Sequence, residues 1–142
     1  MSTRSHIAMQ DATGHIHAVY CHSDGYLSWV GKRLLENFNT IEKVKALLDL
    51  GNISSLGTSI EKPEGHTFEN RISGYTVFYG RDRGEKGQYA VPFETFKAFE
   101  TFKAFEKACD DDYTYLFVDG AWQFRTLSGA FAPLTPELCI EK

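Results

Sequence analysis

Two short runs near the start, "SHIAMQ" and "HIHAVY", alternate apolar and polar residues on either side of "DATG". That period of two is the mark of half-buried strands joined by a turn. Pairing Gln10 with His15 sets Met9 opposite Ile16 and Ile7 opposite Ala18. Directly opposed residues share a sheet face, so Ile7, Met9, Ile16, Ala18 and Tyr20 are expected on one apolar side. His6, Ala8, Gln10, His15, His17 and Val19 take the other. After "HSDGY" the period becomes helical in "SWVGKRLLENF" and "TIEKVKALLDLG". Ile41, Val44, Ala46, Leu47 and Leu48 form the stripe of the second helix, and Gly51 suits its left-handed C-terminal cap. Asn39 is the favoured N-cap, with Glu42 at capping-box spacing. Thr40 is the other candidate, although Lys43 then closes no box.

"NISSLG" reads as a loop with Ser54 or Ser55 as a cap, and residues 58–73 as a polar surface excursion. "GYTVFYG" is β-branched and aromatic, as strands are. The charged turn "RDRGEKG" then leads to "QYAVP" as a second hairpin. In "YTYLFVDGAWQFRTL", Asp119-Gly120 is a type I′ pair. It sets Val118 opposite Ala121, Phe117 opposite Trp122 and Tyr115 opposite Phe124, which gives an aromatic inner face. A last helical turn is expected beyond Ala132. The sum is an α+β chain, one domain over 1–142. Its sheet is mostly antiparallel, about six strands built from hairpins, with two to four helices mainly on one face.

One segment breaks the helical rule. "FETFKA" occurs in tandem at 93–98 and 99–104, and a partial third copy starts at Phe105. Pro92 suits the first turn of a helix. The phenylalanines recur every three residues, so five of them sweep roughly 240° of a helix at about 100° per residue. Three readings follow: a six-residue duplication within a helix that had one clean face, a helix with contacts on two sides, or a docking helix over 93–108, for a second copy of the chain among others. The first is preferred.

The 42% apolar content excludes a disordered polymer. No apolar run is long enough to cross a membrane, and the first residues lack the apolar core of a secretory signal. A cytoplasmic protein is therefore expected. Net charge −4 with interspersed signs argues against direct nucleic-acid binding. Cys21, Cys109 and Cys139 show no C-x-x-C spacing and are read as reduced. No cofactor is expected.

Chemistry is sparse. The three histidines His6, His15 and His17 share the expected polar face, which is read as solvated rather than as a metal site. His22 and Asp24 lie in a turn where the Asp caps backbone N–H groups and Gly25 takes a positive φ, or where Asp24 orients a His22 base. Cys21 and His22 alternate across a strand, so they do not make a nucleophile pair. In "YGRDRGEKG", Arg81 and Arg83 can clamp an anion while Asp82 holds one of them, or form a solvated turn. Tyr75, Phe78, Tyr79 and Tyr89 can stack a base or fill the core. Neither nucleotide-binding glycine motif is present.

"YCHSDGY" (Tyr20–Tyr26), Leu34-Leu35, "SSLG" (Ser54–Gly57) and "YGRDRG" (Tyr79–Gly84) together resemble a family of small uncharacterised proteins of tailed phages, prophages and some bacteria. The resemblance covers roughly residues 3–90 and departs at Leu27, where the family pattern has proline, and at the FETFKA repeat. It implies a phage or mobile-element accessory protein, working in the host cytoplasm, that blunts a host factor, and it puts the two motifs on one surface. The favoured expectation is a binding module without a complete catalytic constellation. It engages a host protein or sequesters a small anionic ligand such as a nucleotide, with His22, Asp24, Tyr26, Arg81, Asp82 and Arg83 at the site. The alternatives are a small hydrolase or transferase on a phosphate-containing substrate with His22 as base, and an interaction domain without a pocket.

Overall fold

The computed structural model describes residues 3–86, 91–93, 99–127 and 129–139. Eight strands are seen: β1 Ser5–Gln10, β2 Ile16–Cys21, β3 Ile53–Ser55, β4 Val77–Phe78, β5 Val91–Phe93, β6 Tyr113–Val118, β7 Ala121–Thr126 and β8 Ala132–Pro133. Seven follow the order β4-β3-β2-β1-β6-β7-β8, and β5 pairs with β2 beside β3. A π-helical turn, Leu27–Gly31, leads into α1, Lys32–Asn37; α2 is Ile41–Asp49, α3 Tyr79–Arg83 and α4 Phe99–Ala108. The fold is α+β. The sheet is mostly antiparallel, as expected, with two parallel pairings, β1 with β6 and β2 with β3.

Both faces of the central strands are covered. Ile7, Met9, Val19, Cys21, Tyr115, Phe117 and Trp122 pack against Val30, Leu34, Val44, Leu47 and Leu48 of the first helices. On the other face Ala8, Ile16, Ala18 and Leu116 meet Phe105 and Cys109. Burial of each large side chain stabilises the fold by about 1.5–3 kcal/mol.

The last hairpin has the expected register, Phe117 opposite Trp122 and Tyr115 opposite Phe124. Its turn residues Asp119 and Gly120 take φ of 53° and 77°. Gly51 ends α2 at φ 90°, and a 3-10 turn, Pro136–Cys139, follows β8. The helix cap is Thr40, whose hydroxyl accepts the Lys43 N–H at 3.3 Å, so Asn39 is not the cap. All three cysteines are buried and free.

The first hairpin is displaced by one residue from expectation: Gln10 faces Ile16 and Met9 faces His17. The turn holds five residues, not four. Asp11 donates its N–H to His15 O at 2.8 Å, and Gly14, at φ 91°, donates to Asp11 O. The Asp11 carboxylate accepts the N–H groups of Thr13 and His15 at 2.9 and 3.0 Å. A one-residue slip moves one strand's side chains to the opposite face. The three histidines consequently part. His15 sits in the turn against Thr13, and His17 reaches Asp11 at 2.9 Å. His6 lies on the α4 face, 2.5 Å from Asp111.

The middle of the chain departs further. "NISSLG" contains β3 where a loop is expected. "YGRDR" is α3 rather than a hairpin turn, closed by Gly84 at φ 79°. β5 pairs with β2, not with β4, and Pro92 lies opposite His17 in that ladder instead of opening a helix. Residues 87–90, including Tyr89, and 94–98 lie outside the described residues, as does the placement of the phenylalanine side chains over 93–102. Phe105 is fully buried and stacks on Phe131, ring centroids 6.3 Å apart.

Candidate functional site

β2 leaves the sheet at Cys21, and its exit is held by β3. His22 and Ser23 donate their N–H groups to Ile53 O and Ser54 O at 2.9 and 3.0 Å. The His22 ring lies with Nδ1 2.8 Å from the Tyr20 hydroxyl. The left-handed residue of the turn is Asp24, at φ 56°, and not Gly25. Gly25 is required for a different reason. A Cβ there would stand 2.8 Å from Ser5 Cβ and 2.9 Å from Thr3 O. Its carbonyl accepts the buried Tyr115 hydroxyl at 2.6 Å. Tyr26 caps the π-helical turn in extended conformation, so Asp24 and Tyr26 stand at the root of the helix that carries Trp29 and Arg33.

The second motif approaches the first through β3. Asn52 accepts the Tyr20 N–H on its side chain at 2.9 Å and the Tyr79 N–H on its carbonyl at 3.1 Å. Ile53 pairs with Cys21 on one side and Phe78 on the other. The two stretches thus flank one short strand at one end of the sheet.

Within α3 the charged residues divide. Asp82, its side chain fully buried, accepts the Phe78 N–H at 2.8 Å and binds Arg81 bidentately at 3.0 and 3.2 Å. Arg81 also donates to the carbonyls of Thr76 and Ile60 and lies over the Phe78 ring. Its donors are engaged within the fold, so Arg81 is a structural strut. Arg83 is half exposed, 3.5 Å from Glu85 and 4.8 Å above the Phe68 ring. Asp82 does hold one arginine, but Arg81 and Arg83 do not converge as a clamp. His66, fully buried, completes this knot: its Nδ1 accepts the Ile72 N–H at 3.0 Å, and Nε2 faces Thr76 O at 3.3 Å and Asp82 at 3.8 Å. It lies in what the sequence reads as a surface excursion.

A cleft of about 310 Å³ opens beside this knot, between Trp29 and Arg33 on one wall and Arg71 and Tyr75 on the other, with Ser55 and Gly57 at its base. No carboxylate is among its lining residues. The Arg33 guanidinium lies 3.6 Å over the Trp29 ring and donates to Trp29 O at 3.3 Å. Its Nε is buried without a partner among the described residues. Burial pushes the Arg33 pKa down, while Asp24 and Glu36 act in the opposite sense. Arg71 is exposed, anchored by Ser54 Oγ at 3.2 Å and Phe68 O at 3.0 Å. Sequence spacing carries no signal for this pair: Arg33 and Arg71 belong to no shared motif.

Larger cavities of about 550 and 360 Å³ lie at the other end of the sheet, around Asp11, Ile41 and the two hairpin turns. The larger is lined by Asp11 and Asp119 without lysine or arginine. The cationic cleft is therefore the better match to an anion. Against protein-family models, curated proteins and solved structures, the chain has no match.

Proposed function

We propose that the protein is a binding module for a small anionic ligand, with the cleft between Arg33 and Arg71 as its site. The observation that carries this reading is two arginines on a carboxylate-free cleft. An anion entering it gains charge-assisted hydrogen bonds, worth about 1.5–3 kcal/mol each, and gives the buried Arg33 Nε a partner. The cleft volume sits at the small end of the roughly 300–1,000 Å³ usual for ligand pockets, which suits a mononucleotide or a smaller phosphate compound. The six residues expected at the site, His22, Asp24, Tyr26, Arg81, Asp82 and Arg83, are not among those lining the cleft; Asp24 acts on Arg33 through its charge alone, and Arg81 and Asp82 bind each other within α3. With the family resemblance, this describes a phage-type accessory protein that sequesters a host metabolite.

Titration with mononucleotides and inorganic phosphate, followed by Trp fluorescence and calorimetry, tests the reading. Binding that weakens at least tenfold in Arg71→Ala, with the fold unchanged by circular dichroism, is expected. Equal binding by Arg71→Ala, or no binding of any member by the native protein, overturns it.

A further inference from the structure

The two arginines of the cleft are each held by contacts within the fold. Arg33 gives Nη1 to Trp29 O, while Arg71 gives Nε to Phe68 O and Nη2 to Ser54 Oγ. Arg33 Nη2 and Arg71 Nη1 have no partner among the described residues, so these are the donors left for an anion. Away from the arginines the lining is apolar and aromatic, with Leu56, Ile72, Tyr75 and Val77. Leu56 and Val77 are buried, so half-buried Ile72 and Tyr75 present the surface that a ligand can cover. The Trp29 ring on the opposite wall already carries the Arg33 guanidinium on one face.

Tyr75 is set in place before any ligand arrives. Its N–H donates to Ile72 O at 3.3 Å, and its backbone bridges to Ser59. Gly57 on the floor stands so near this wall that a Cβ would come 2.6 Å from Gly74 O and 2.7 Å from Tyr75 C. The Tyr75 ring leans on the buried His66 imidazole, with centroids 6.2 Å apart. Its hydroxyl has no hydrogen-bond partner among the described residues. An aromatic wall fixed in this way loses little freedom on binding.

We infer, on the premise that the cleft is an anion site, that its ligand is a nucleoside monophosphate and that Tyr75 sets this specificity. The phosphate takes hydrogen bonds from Arg33 and Arg71 across the cleft. The base lies against Tyr75 and Ile72, since every base has a π-face to offer an aromatic ring. Ser55 and Ser73, also in the lining, bring hydroxyls to the sugar. Inorganic phosphate or a sugar phosphate meets the arginines but leaves the Tyr75 wall in water, and so binds more weakly.

Calorimetry with AMP, UMP and ribose 5-phosphate, which share the sugar and the phosphate, tests the assignment. The native protein is expected to bind the tighter nucleotide at least about tenfold more strongly than ribose 5-phosphate. Tyr75→Leu, which keeps an apolar side chain in the wall, should remove that preference and leave ribose 5-phosphate binding unchanged. Tyr75→Phe should keep the preference, and Arg71→Ala should weaken all three ligands alike. Equal native affinities overturn the nucleotide assignment while the anion site stands. A preference that survives Tyr75→Leu overturns the role of Tyr75. Binding of none of the three overturns the anion site and the nucleotide assignment with it. The native comparison needs no variant, so it decides the assignment even where Tyr75→Leu loosens the wall.

Discussion

Asp82 accepts the backbone N–H of Phe78 at 2.8 Å from a carboxylate with no exposed surface. One side chain thereby closes the first turn of α3, terminates β4 and neutralises Arg81. Removing a single partner from a buried ion pair leaves the other charge and the N–H uncompensated. Asp82→Ala is expected to destabilise the protein by about 3 kcal/mol, read by urea unfolding. A change below about 1 kcal/mol would show that Arg81 finds solvent readily and that the knot is not structural.

Asp24 tests the turn that the sequence motif places at the site. Its φ of 56° is a conformation that glycine adopts freely and alanine does not. Asp24→Gly should therefore be more stable than Asp24→Ala by about 1 kcal/mol, measured by thermal unfolding of the two variants side by side. The reverse order would mean that the carboxylate, not the backbone, decides this position.

The cysteines give a pH dependence with a defined sign. Burial pushes the Cys21 and Cys109 thiols up to about 12 from an ordinary 9.0. Below pH 9 folded and unfolded chains both keep these protons, and the thiols add nothing to the pH dependence. Between pH 9 and 12 only the unfolded chain ionises, so stability should fall across that window. A thiol reagent at pH 8 should label none of the three in the native state and all three in denaturant. Rapid native labelling would contradict the burial.

The legible parts of the fold were those fixed by a short-range turn signal. The β6–β7 hairpin could be registered residue by residue because its Asp-Gly turn admits one pairing. The β1–β2 hairpin could not: Ile7 and Ala8 are both fully buried, so alternation has no dry and wet side, and the extra turn residue is held by the Asp11 side chain. In the site, the resemblance put the His22 and Arg81 stretches on one surface, and the two flank β3 without a contact between their side chains among the described residues; Asp82 holding an arginine was anticipated from the residues themselves. The roles of Arg33 and Arg71 were not. Each depends on a contact between segments distant in the chain, and no short-range pattern records such contacts.

The pairing of β1 with β6 has a consequence for how the chain reaches this state. Arg4 donates its N–H to Asp112, 108 residues further on, so the central seam joins segments far apart along the chain. Loops this long close slowly. During synthesis the first hairpin emerges with two apolar faces and waits for about a hundred further residues before its partner strand exists. Such an intermediate is prone to adhere to others of its kind, which makes the yield of soluble protein sensitive to translation speed and to chaperones.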